Sequence, residues 1–129
     1  MNKLKVISTK NAPSAIGAYS QAIKAGDFIY ISGQIPLVPN SMELVSEDFN
    51  DQVNQVLSNL NAIVIEAGCQ LNDIVKLNVY LKDLEDFKSV NDAMSKVFEQ
   101  PFPARAAVEV SRLPKDVLVE MDAIAYIGD

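Results

Sequence analysis

The stretch from Ser46 to Ala67 constrains the fold more than any other. Phe49, Val53, Val56, Leu57, Leu60, Ile63, Val64 and Ala67 recur at the helical period and form one apolar stripe. A helix with a single stripe must bury it against another layer. Ser46 suits the N-cap, Glu47 and Asp48 suit the positive end of the helix, and Gly68 suits the position just past its end. A second stripe starts near Asp83 or Leu84 and runs to about Phe98, through Leu84, Phe87, Val90, Met94, Val97 and Phe98. Pro101 lies just beyond, where a helix cannot continue.

The remaining segments alternate with period two. Gln21 to Ala25 and Phe28 to Ser32 flank Gly26-Asp27, which reads as a tight hairpin. Pro39-Asn40-Ser41 is a turn cluster. In Ile74 to Leu81, Val75, Leu77, Val79 and Leu81 share one face, and Lys76, Asn78 and Tyr80 the other. Ala104 to Val110 and Val117 to Tyr126 read as the last two strands, connected by Ser111 to Asp116. The order is two or three strands, a helix, a strand, a helix and two strands. Two amphipathic helices cover only one face of such a mixed sheet. With no repeat, low-complexity tract or linker, residues 1–129 form a single domain.

Strand parity then assigns faces. Ala104, Ala106, Val108 and Val110 suit packing under the helices, and their alternates are Arg105, Ala107 and Glu109. On the last strand Val119, Met121, Ala123 and Ala125 suit the core, leaving Glu120, Asp122, Ile124 and Tyr126 outside. If the two strands pair as a hairpin about Leu113-Pro114, Arg105 and Glu120 share a face without helices, joined by Phe28, Tyr30, Asn78 and Tyr80. Aromatics on such a face are better explained by self-association than by exposure to water. An Arg and a Glu at a subunit junction would form a polar cleft.

Composition excludes several chemistries. The net charge of −6 argues against nucleic acid or anionic membrane as a main partner, since both need a basic patch. The absence of histidine removes the commonest general base and zinc ligand. Cys69 is the only cysteine, so no internal disulfide forms, and nothing near it suggests an activated thiolate. Asp83 and Asp86 read as helix-start charge, not as a metal site. No apolar run suits a signal peptide or a transmembrane helix, so a cytoplasmic protein is expected.

The segments NAPSAIGAYSQAI, ISGQIP, AGCQLNDIVKLNVYLKDLEDFKSVNDAM, FPAR and VEVSRLPKDVLVEMDAIA resemble the reactive intermediate deaminases (RidA, formerly YjgF) over nearly the whole chain. The resemblance implies a chorismate-mutase-like α+β fold, a mixed six-stranded sheet with two helices on one face. It also implies a homotrimer with active sites in clefts between subunits. The activity implied is hydrolysis of 2-imino acids such as 2-iminopropanoate and 2-iminobutanoate to 2-keto acids and ammonia, with no cofactor or metal. Arg105 matches the arginine that binds the substrate carboxylate, and Glu120 the acid that handles water. Tyr19 matches a cleft tyrosine, Ser32 and Gly33 line the pocket, and Asn91 matches a polar residue near it. Ala106 and Ala107 stand where many relatives have a Ser-Cys or similar pair, so a thiol has no part in the mechanism here.

Each of these residues has a plainer reading. Arg105 could pair with Glu109, Glu120 or Asp122 across a subunit seam, and Tyr19 could be an amphipathic anchor. Ser32 and Gly33 could form a strand-end turn, and Asn91 could face water. The same cleft could bind 2-keto or amino acids as a sensor or scaffold without turnover. An RNA-cleaving activity, claimed for some relatives, is opposed by the acidic charge and the missing histidine.

Overall fold

The computed structural model describes residues 3–128. It contains strands β1 (Leu4–Ile7), β2 (Ala22–Ala25) and β3 (Phe28–Gln34), helix α1 (Phe49–Glu66), strand β4 (Ile74–Leu81), helix α2 (Phe87–Val97), and strands β5 (Ala104–Glu109) and β6 (Val119–Tyr126). The strands form one mixed sheet in the order β1-β2-β3-β6-β4-β5. Both helices lie on one face of it. Their stripes meet Ile29, Ile31, Leu77, Val79, Leu81, Met121 and Ala123 in a single core. The expected α+β architecture with six strands and two helices on one face is what the chain adopts.

The local reasons for α1 differ slightly from expectation. Asp48, not Ser46, is the N-cap, and its side chain accepts from the Asp51 amide. Ser46 stands one turn outside, where its hydroxyl donates to Asp51 Oδ2 at 2.8 Å. Gly68 follows the helix with φ +88°, a backbone conformation that glycine enters without a Cβ penalty. Gln52 and Asn59 are buried within the apolar stripe, and both are satisfied. Asn59 donates to the carbonyls of Ile35 and Leu37, and Gln52 accepts from the Leu118 amide at 2.8 Å. They tie α1 to the loop after β3 and to the start of β6. The second helix opens with a 3₁₀ turn at Leu84–Asp86 before α2 proper.

The hairpin about Gly26-Asp27 forms, with Phe28 opposite Ala25 and Gly26 at φ +61°. The hairpin expected between the last two strands does not. β5 runs parallel to β4, with Leu77 opposite Arg105, and β6 is inserted between β3 and β4. The reason is the crossover: β4, α2 and β5 form a βαβ unit, which brings β5 back parallel beside β4. β4 also bulges between Ile74 and Lys76, which turns Val75 outward and puts Ile74 in the core. This corrects the reading that Val75 shares one face with Leu77, Val79 and Leu81.

Candidate functional site: two half-sites on opposite faces of the sheet

β5 is an edge strand, and its parity is the reverse of the expected one. Arg105 reaches under α2: its guanidinium lies 4.7 Å from the centre of the Phe87 ring. One terminal nitrogen donates to Asn91 Oδ1 and lies 3.6 Å from Met94 Sδ. Phe87, Asn91 and Met94 are spaced four and three apart on α2, so one helical stripe supplies all three. Glu109 lies on the same side, accepting from the Leu84 amide at 3.0 Å, and Ala107 packs on the core. Ala104, Ala106 and Val108 therefore face the other way. Alanine on both sides of an edge strand gives no parity signal, which is why the pattern misled.

Arg105, Asn91, Met94, Ser95, Phe102 and Pro103 line an open cavity of about 370 Å³. Among the described residues no carboxylate pairs with Arg105; the two ion pairs are Lys88–Asp92 and Arg112–Asp116. A guanidinium steadied on one side by a ring and an amide, with no anionic partner, is ready to take a carboxylate through two parallel N–H bonds. The pairing of Arg105 with Glu109, Glu120 or Asp122 within one chain does not occur.

The second group of residues lies around the bare face. Glu120 is opposite Tyr80, Asp122 opposite Asn78, and Tyr126 opposite Phe28. Glu120 points its carboxyl at Gly33, where a Cβ would collide with Glu120 Oε2 and stand 3.1 Å from Cδ. Gly33 is needed for space, not for an unusual φ. It lies within a break in the β3–β6 register between Ile31 and Gln34. Ser32 anchors the neighbouring loop, its hydroxyl donating to the Ser20 carbonyl at 2.6 Å. Buried Gln21 shapes that loop further: its amide donates to the carbonyls of Thr9, Ala12 and Pro13 and accepts from the Thr9 amide. Exposed Tyr19 and Gly33 line a cavity of about 130 Å³ with Ile16, Gln34 and Lys115.

Burial pushes the Glu120 carboxyl above the usual range, and the charge of Asp122 adds to this. Asp122 accepts from Asn78 Nδ2 and Tyr80 Oη, each at 2.8 Å. The Tyr80 hydroxyl is pushed up to about 12, first by that hydrogen bond, then by burial and the charges of Asp122 and Glu120. Burial, then Asp73, pushes the Cys69 thiol up, in keeping with an inert cysteine. Among the described residues no cluster of three or more His, Cys, Asp or Glu could hold a metal, and no helix is long and apolar enough to cross a membrane.

Of the residues expected at the site, Arg105 and Asn91 meet on one side of the sheet. Tyr19, Ser32, Gly33 and Glu120 gather at the other. The common sheet face expected for Arg105 and Glu120 is thus corrected: within one chain they lie on opposite faces. Sequence reasoning missed Phe87 and Met94 as the setting of Arg105, although both stood on the helical stripe. It also missed Gln21, for which the pattern carried no signal.

This arrangement defines a class: a small α+β protein that presents an arginine without a carboxylate partner and, separately, a half-buried acid. Comparison sharpens it, since residues 9–127 match the family described as Endoribonuclease L-PSP. A RutC family protein of Pyrococcus horikoshii is 57% identical over 122 residues, covering 95% of this chain and 97% of its own. A 2-iminobutanoate/2-iminopropanoate deaminase of Bos taurus is 46% identical over 124 residues, covering 96% of this chain and 90% of its own. The crystal structure of E. coli TdcF with bound serine superposes with a TM-score of 0.89 at 40% identity, covering 96% of this chain and 99% of that one. The chain belongs to the RidA/YjgF/RutC (L-PSP) family.

Proposed function

We propose that this protein is a 2-iminobutanoate/2-iminopropanoate deaminase, a hydrolase of the C=N bond, acting in clefts between the subunits of a homotrimer. In each cleft Arg105 and Asn91 come from one subunit, and Tyr19, Ser32, Gly33 and Glu120 from its neighbour. The observation that carries this is the Arg105 guanidinium, steadied by Phe87 and Asn91 and left without a carboxylate. The likeness to the bovine 2-iminobutanoate/2-iminopropanoate deaminase supports the reaction, and the serine in the TdcF structure supports an amino-acid-like ligand.

The chemistry follows from the groups. Arg105 holds the substrate carboxylate and fixes the adjacent C2 relative to water. Glu120, as carboxylate, takes a proton while the water oxygen bonds to C2 and the C=N π pair moves to nitrogen. Glu120 returns that proton to nitrogen, giving an amino alcohol; as this collapses, Glu120 takes the hydroxyl proton while the keto oxygen forms, and passes it to the nitrogen departing as the C2–N bond breaks. Substrate and water become a 2-keto acid and ammonia, with Glu120 restored. General acid–base help of this kind contributes about 10²–10⁴-fold. Ala106 sits on the face turned away from Arg105 and Ala107 packs on the core; both supply backbone only, so no thiol takes part.

The test generates 2-iminopropanoate from alanine with an amino-acid oxidase and traps free imine with semicarbazide. Wild type is expected to suppress semicarbazone formation, and Arg105→Ala is not. Wild type matching a no-protein control, while a 2-keto acid still binds through Arg105, would replace this reading with a sensor or scaffold. The ribonuclease named in the family description has less support here: the chain carries −6 net charge and no histidine.

A further inference from the structure

The bare face carries a polar cluster that the proposed reaction has not used. Both oxygens of Asp122 are taken, one by Asn78 Nδ2 and one by Tyr80 Oη, each at 2.8 Å. The carboxylate is therefore held in one orientation, and among the described residues no cation pairs with it. Glu120 is two residues earlier on β6 and so on the same face, directly opposite Tyr80. The Tyr80 hydroxyl is committed to Asp122, so it is not aimed at Glu120. None of these four residues belongs to the apolar core.

Resting on the imine-hydrolase reading, we propose that Asp122, pinned by Asn78 and Tyr80, is a positioning residue whose fixed negative charge keeps the Glu120 carboxylate basic enough to take a proton from water. The surroundings explain why such a charge is needed. On β3, Gly33 meets the Glu120 carboxyl, Tyr30 and Ser32 lie on the same outward face, and Lys115 lines the cavity beside Gly33. In the proposed assembly Arg105 of a neighbouring copy adds a second cation. Cations favour the ionised carboxyl and so make it a weaker base toward water. Asp122 offsets them, as does the burial that already pushes Glu120 up.

The experiment follows the Glu120 side-chain carboxyl carbon by NMR in the assembled, glutamate-labelled protein, with Glu120→Gln assigning the signal. Wild-type Glu120 is expected to titrate above the other glutamates. In Asp122→Asn its midpoint should fall by about half a unit to one unit, the size of one nearby charge at intermediate dielectric. The acid limb of the kcat/KM profile should move down with it, with kcat falling more than KM rises. Asp122→Glu should restore both, and Tyr80→Phe, which frees one oxygen of Asp122, should move both down by less. A Glu120 midpoint and an acid limb unmoved in Asp122→Asn, with Glu120→Gln inactive, would overturn the role of Asp122 alone. Full turnover by Glu120→Gln would instead overturn the catalytic reading of Glu120.

Discussion

The two faces of the sheet are built to different rules. Under the helices, Ile29, Leu60, Ile63, Leu77 and Met121 are fully buried, and the polar groups among them are satisfied within the chain. On the bare face, the Phe28 and Tyr126 rings pack tilted, 5.2 Å between centres, yet remain more than a third exposed, and Tyr30 is 48% exposed. Beside them, across β6 and β4, runs the Asn78–Asp122–Tyr80 network. The first face is complete in one chain. The second has aromatics and ordered polar groups but no cover, which suits contact with another copy. The difference teaches where function sits: substitutions in the apolar core under the helices should cost stability, and those on the bare face or at the β5 edge should cost assembly or turnover.

The largest effect is expected at Arg105. Arg105→Ala removes two charge-assisted hydrogen bonds to substrate and should lower kcat/KM about 10²–10³-fold in the semicarbazide assay, with unchanged thermal stability. Loss of stability in its place would mean that Arg105 serves the α2 face and not a ligand. Leu60→Ala, deep under the helices, should cost about 2–5 kcal/mol in denaturant unfolding. A cost under about 1 kcal/mol would break the contrast between the faces. Gly33→Ala should displace the Glu120 carboxyl and lower kcat by about 10–100-fold while carboxylate binding persists, as separate kinetic and binding measurements would show. Asn91→Ala frees one side of the guanidinium and should raise KM by about 10-fold, with kcat little changed.

Much of this was legible in the sequence. The stripe from Phe49 to Ala67 and the alternation of Leu77, Val79 and Leu81 gave the layers, because burial on one side imposes a period. Gly26-Asp27 gave a hairpin, because a tight turn demands its residues. Pairing between distant strands was less visible. β5 reads as well against β6 as against β4, and only the crossover through α2 places it parallel to β4. Its alanines conceal which way Arg105 points. The bulge at Val75 breaks a regular alternation without any residue that announces it. At the site, Arg105, Glu120 and Asn91 were named from the family resemblance. Their division between opposite faces depends on strand order, which no local pattern encodes.

The central claim is that a working site takes Arg105 from one subunit and Glu120 from another. Arg105→Ala and Glu120→Gln, each inactive alone, should be unfolded together in equal amounts, reassembled and assayed. Random mixing gives about one junction in four with both residues intact, so roughly a quarter of wild-type turnover should return. No recovery, from reassembled protein shown to contain both subunits, would contradict the account.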